Sequence, residues 1–104
     1  MTYLEKGVKA IEYKILISKQ AQEDMQYHIA FLAKVSENAA KRLFDNLLEK
    51  ISSLNFMPHR GQIIKMFNKN RKKLVIDKKI IILYSIFKNN IYIENIINTK
   101  MKAN

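Results

Sequence analysis

Arg71 and Lys73 are among the cations to weigh first for an interaction with an anion. They stand two apart in RKKLVI (71–76), which reads as a strand, so they share one face with Val75 while Lys72, Leu74 and Ile76 take the other. Paired cations on one face suit a phosphate. Metal-independent cleavage of RNA would ask more: activation of a 2′-hydroxyl, stabilisation of a pentavalent phosphate and protonation of the leaving oxygen. The remaining candidates have plainer explanations. His59, in the loop PHRG, offers an imidazole that could serve as acid or base, but with no identifiable partner an exposed histidine without a task is the simpler reading. His28 falls on or beside the apolar face of a helical segment and reads as a packing residue. Tyr84 reads as core, its hydroxyl satisfied locally. The chain has no cysteine and two histidines, which removes disulfides, thiolate catalysis and cysteine-ligated zinc, and leaves too few ligands for a His-rich metal site. No cofactor and no metal is expected.

The cations are concentrated. Residues 1–58 hold eight of the nineteen bases and seven of the nine acids, and are nearly neutral. The other eleven bases, in residues 59–104, face only Asp77 and Glu94, so that stretch carries +9 of the chain's +10. A compositional bias towards Ile, Asn and Lys would not leave the first half almost uncharged, so the field implies an anionic partner: nucleic acid, a ribosome or an acidic protein segment. Arg60, Lys65, Lys69, Arg71, Lys72, Lys73 and Lys79 form the candidate target-binding or nucleic-acid-binding set. Edge protection by solvated lysines accounts for Lys72, Lys73, Lys78 and Lys79 about as well. Phe67 is the only aromatic residue between Arg60 and Lys79, which disfavours a single-strand binder that stacks bases.

At 104 residues and 48% hydrophobic content, the chain suffices for one domain with one modest core. It reads as a single unit over residues 1–104, with 1–12 as an N-terminal extension and 99–104 as a tail. Two glycines and one proline exclude collagen-like and linker-rich classes. The longest apolar run, 80–84, falls far short of the eighteen or so residues of a membrane span. Charges interrupt MTYLEKGVKAIEYK where an export signal needs an apolar stretch, so a cytoplasmic protein without membrane association is expected.

The elements that position these groups follow from hydrophobic period. Residues 13–18 (YKILIS) are β-branched and aromatic enough for a short strand, and Ser18 can cap a helix in which Ala21, Met25, His28, Ile29, Leu32 and Val35 recur, with Glu23 and Asp24 near its dipole-favoured start. Ser36 is an N-cap for a second helix whose stripe runs Ala40, Leu43, Phe44, Leu47, Leu48, Ile51 and Leu54. Residues 55–61 (NFMPHRG) end it. Residues 63–67 suit a short edge strand, 71–76 a further strand, and Asp77-Lys78 a tight connection. Residues 79–87 (KIIILYSIF) are apolar on both faces, as in a central strand. Lys88-Asn89-Asn90 suits a hairpin turn because Asn tolerates left-handed geometry, and 91–97 forms a last strand with Ile91, Ile93 and Ile97 on one face. The expected fold is α+β: a two-helix hairpin packed on a small antiparallel sheet, in the order β-α-α-β-β-β. One hairpin cannot cover both Ile80/Ile82/Tyr84/Ile86 and Ile81/Leu83/Ser85/Phe87. The segment 3–11, the C-terminal tail or a partner chain must cover the second face.

Over residues 13–98 the runs YKILISKQAQEDMQYHIAFL, NAAKRLFDNLLEKISSLNFMPHRG and RKKLVIDKKIIILYSIFKNNIYIENIIN resemble the RelE/ParE superfamily of toxins from type II toxin-antitoxin systems. The resemblance is carried by Tyr13, Ser18, Ala21 and Asp24 at the first strand–helix junction, Leu54, Pro58 and Gly61 after the helical hairpin, Arg71, and the strand containing Leu83-Tyr84 before an isoleucine-rich hairpin. It implies a small basic protein that causes growth arrest, associated with plasmid stabilisation, and a cognate antitoxin whose segment wraps and neutralises it. Such a partner would answer both the excess charge and the uncovered face. The resemblance also implies a target: RelE-type members cut mRNA in the ribosomal A site, and ParE-type members block DNA gyrase. Arg71 matches the arginine that opens a strand in the family pattern, making Arg71 and Lys73 the catalytic candidates if the chain is a metal-independent mRNA endoribonuclease. Many RelE-type sequences, however, read Tyr-Arg-aliphatic-aliphatic-Tyr where this chain has Ile80, Ile81, Ile82, Leu83 and Tyr84, and the strand arginine is absent. Ile97, Asn98, Thr99 and Lys100 lack the His-Arg pair of many nucleolytic members, Lys100 and Lys102 offering charge alone. These departures favour a ParE-like gyrase inhibitor over a RelE-like ribosome-dependent endoribonuclease. Outside the family stand a non-catalytic nucleic-acid-binding module and a protein-interaction domain that dimerises through its uncovered sheet face.

Overall fold

The computed structural model describes residues 13–66 and 69–99. The segment 3–11, Phe67, Lys100 and Lys102, to which the sequence assigns roles, lie outside the described residues. The chain runs β1 (Lys14–Ile17), α1 (Lys19–Ala33), α2 (Glu37–Ser53), β2 (Gln62–Met66), β3 (Lys69–Ile76), β4 (Ile80–Phe87) and β5 (Asn90–Asn98). The principal elements keep the expected order, and the short edge strand is present as β2. One sheet forms with strand order β1-β5-β4-β3-β2. β2 to β5 are an antiparallel meander, and β1 joins β5 in parallel.

Both helices start where serine supplies an oxygen to a backbone donor. Ser18 Oγ accepts from Ala21 N–H at 2.9 Å and Ser36 Oγ from Ala39 N–H at 3.1 Å. Ser18 also ties the junction to β5: its N–H donates to the Ile93 carbonyl at 3.0 Å and its hydroxyl to the Glu94 carbonyl at 3.0 Å. Beyond the end of β1, α1 takes over the flank of β5. Asp24 Oδ2 accepts the Ile96 N–H at 2.9 Å, and His28 Nε2 meets the Ile96 carbonyl at 2.9 Å. A carbonyl only accepts, so Nε2 carries the proton. Asp24 and His28 lie one turn apart on one helical face, and together they satisfy backbone groups that the short β1 leaves unpaired. His28 is buried, as a packing residue should be, and has a polar duty besides.

The core lies between the hairpin and one sheet face. Ala21, Leu47, Ile51 and Leu54 meet Leu74, Ile76, Ile80, Ile82, Tyr84, Ile91, Ile93 and Ile96. The grouping of Ile91 and Ile93 with Ile97 is corrected to Ile96. Leu83 pairs with Asn95 and Tyr84 with Ile93, so Glu94 is an extra residue in β5, and this bulge reverses the facing of every residue after it. Ile97 pairs with Ile81 on the other face. The α2 stripe is wider than its contact, leaving Phe44 and Leu48 at 40% and 39% exposure. In the β3–β4 turn Asp77 and Lys78 both have positive φ, 52° and 63°, the pattern of a hairpin turn that matches strand twist. In the β4–β5 turn the left-handed residue is Lys88, φ 56°, rather than an asparagine.

Candidate functional site

The sheet divides the predicted cations instead of gathering them. Across β2 and β3, Ile64 faces Arg71, Gln62 faces Lys73, Ile63 faces Lys72 and Lys65 faces Asn70. Arg71 and Lys73 therefore project from the outer face, as their spacing requires, and Lys65 and Lys72 from the face that bears the helices. Lys69 opens β3. Lys79 stands at the opposite end of the sheet, beside Ile80, whose partner Ile76 is roughly 17 Å along β3 from Arg71. Arg60 lies in the loop after α2, where Nη1 donates to Ser53 Oγ at 2.8 Å. Arg60, Lys65 and Lys79 are exposed, and Arg71, Lys72 and Lys73 are half-buried.

Arg71 is already engaged. Its Nη1 lies 3.0 Å from Glu94 Oε1, with the two side chains 16% and 27% exposed. The bulge gives Glu94 this reach, because it aims the side chain of the extra residue across β4 to β3. Between them on β4, Ser85 Oγ donates to Glu94 Oε2 at 3.0 Å. The charges are close, yet among the described residues Arg71 Nε has no hydrogen-bond partner and Glu94 Oε1 has none beyond the Arg71 charge, both atoms being buried. Arg71 and Ser85 also border an open pocket of about 200 Å³ whose other lining residues are His59, Ile63, Asn70, Lys72 and Ile86. Glu94 was not singled out in the sequence. Its signal was available, since it is one of only two acids after Pro58.

Tyr84 is fully buried on the helix-facing side of β4. Its hydroxyl donates to the Pro58 carbonyl at 2.8 Å and accepts from Gly61 N–H at 2.9 Å. Burial pushes its pKa above the ordinary tyrosine value, opposed by the Gly61 hydrogen bond and the Arg60 charge, so near neutral pH it is a phenol fixing the loop after α2. Gly61 is required by close approach: a Cβ there would stand 2.6 Å from Tyr84 Oη. Among the described residues, no group of three or more His, Cys, Asp or Glu could hold a metal ion. Nor, among them, is any helix long and apolar enough to cross a membrane.

A helical hairpin packs on a five-stranded mixed sheet, and most of the described cations lie on the sheet half. The family model described as "ParE toxin of type II toxin-antitoxin system, parDE" matches residues 15–103, and the chain belongs to that family. Among solved structures, a chain of the chromosomal ParDE TA system from P. aeruginosa matches with a TM-score of 0.70 at 11% sequence identity, covering 84% of this chain and 96% of that one. At that identity the likeness concerns the fold. No curated protein matches the sequence.

Proposed function

We propose that this chain arrests growth by binding DNA gyrase in the cytoplasm, and that a cognate antitoxin neutralises it. The observation that carries the reading is membership of the ParE toxin family over residues 15–103. The site supports gyrase over ribosomal mRNA. An endoribonuclease needs free acid, base and phosphate-binding groups in one place, whereas here the Tyr84 hydroxyl is committed to Pro58 and Gly61, and Ile81 stands where many RelE-type sequences carry the strand arginine. A gyrase blocker needs a complementary surface, which the exposed cations of the sheet half can supply. The antitoxin would bring an acidic segment to that charge and cover apolar groups such as the stacked Tyr27 and Phe31. Purified chain is expected to inhibit gyrase supercoiling in proportion to dose, with messages left intact during arrest. Unaffected gyrase at saturating protein would remove the reading, and cuts at codon boundaries would replace it with the RelE-like one. Coexpression of the antitoxin is expected to restore growth.

A further inference from the structure

Arg71 and Ser85 hold a carboxylate much as they would hold an oxyanion. One guanidinium nitrogen lies 3.0 Å from one oxygen of Glu94, and the Ser85 hydroxyl donates to the other at 3.0 Å. A tetrahedral phosphate presents two such oxygens, and arginine with a hydroxyl is a usual donor set for one. Both donors project from the outer face of the sheet, and the Glu94 carboxylate reaches them along that face from β5, through the bulge. The hold is incomplete, because Arg71 Nε, one of the five donors a guanidinium can offer, is buried and has no partner among the described residues. The only other acid after Pro58, Asp77, sits in the β3–β4 turn at the far end of the sheet.

We propose that Arg71 and Ser85 form a phosphate-binding site whose occupant in the free chain is the chain's own Glu94 carboxylate, so that a phosphate group enters by displacing Glu94. This rests on the reading that the basic sheet half meets an anionic target. In a gyrase–DNA complex the phosphodiester of the bound DNA would be such a ligand, and a free phosphate offers the same chemistry. Glu94 then acts as an internal competitor: it keeps Arg71 ordered and weakens capture of stray phosphates.

The test is binding of a short fluorescein-labelled DNA duplex by anisotropy across a salt series. Wild type is compared with Glu94→Gln, Glu94→Asp and the double variant Glu94→Gln/Arg71→Met, each checked for folding by thermal melt. Glu94→Asp keeps the charge but shortens the reach to Arg71. Both single variants are expected to bind about tenfold more tightly than wild type. The salt slope should steepen by about 0.9, the value for one further phosphate contact, and the double variant should lose the gain. If Glu94→Gln binds no more tightly, if the gain survives loss of Arg71, or if Glu94→Asp matches wild type while Glu94→Gln gains, the proposal is overturned. Should Glu94→Gln not fold, Glu94→Asp with and without Arg71→Met carries the same comparison. Displacement of the duplex from Glu94→Gln by inorganic phosphate would assign the site to an isolated phosphate, and resistance to it would assign the site to a phosphodiester within a strand. Gyrase inhibition by the same wild-type preparation separates the two ideas. Inhibition without a Glu94 effect sinks the phosphate site alone, and a Glu94 effect without inhibition sinks the gyrase reading alone.

Discussion

Because the Tyr84 hydroxyl joins Pro58 to Gly61, removing it strands two backbone groups in the interior. Tyr84→Phe is expected to cost about 1–3 kcal/mol, read as a fall of roughly 4–8 °C in melting temperature for each kcal/mol. The same residue sets an alkaline limit. Its folded pKa lies above the unfolded value of 10.0, so the folded state holds the proton more tightly, and the contribution present below pH 10 is lost as pH rises through the folded pKa. Melts taken on either side of pH 10 should show wild type losing more stability than Tyr84→Phe. Residue roles were legible where the partner is close in sequence. Ser18 and Ser36 announce themselves as caps because they accept from N–H groups three residues on. Asp24 looks like a dipole partner at a helix start, but its carboxylate serves Ile96, 72 residues away, and no local pattern encodes that contact.

Adjacent leucines on α2 separate stripe from core. Leu47 is fully buried while Leu48 is 39% exposed. Leu47→Ala is expected to cost about 2–5 kcal/mol and Leu48→Ala under about 1 kcal/mol, measured by denaturant unfolding. In the β3–β4 turn, Lys78 has φ 63°, a geometry with a steric cost that glycine avoids. Lys78→Gly is therefore expected to stabilise by about 1 kcal/mol, visible as a higher melting temperature without loss of the fold. At this scale the sequence was largely sufficient: the helices, the β3 alternation and the doubly apolar β4 all follow from period. It failed at β5, because IYIENII fits strict alternation as well as it fits a bulge, and only pairing with β4 decides that Glu94 is the extra residue. That single insertion moved Ile96 into the core and brought Glu94 to Arg71, so the error in the strand and the omission at the site share one cause.

For the molecule as a whole, the asymmetry of charge was visible in the chain, but its layout was not. Lys65 and Lys79 are both exposed and lie towards opposite ends of β3. Lys65→Glu and Lys79→Glu change the net charge equally, so a target drawn by the overall field alone would respond equally to both. Under the proposed function, Lys65→Glu, nearer Arg71, is expected to weaken gyrase inhibition more, with both variants melting as wild type. The parallel pairing of β1 with β5 bears on when this molecule becomes dangerous. Ile15 and Ile17 lie beside Ile91 and Ile93, so the first strand has no place to dock until the last has been made. Synthesis runs from the N-terminus, and a nascent chain ending before β5 lacks both the ledge for β1 and the Ile96 backbone that α1 grips. Chains truncated after Asn89 are expected to be unfolded by circular dichroism and harmless when induced. A translating cell would then meet the finished toxin only as β5 leaves the ribosome, an interval in which an antitoxin already present can capture it.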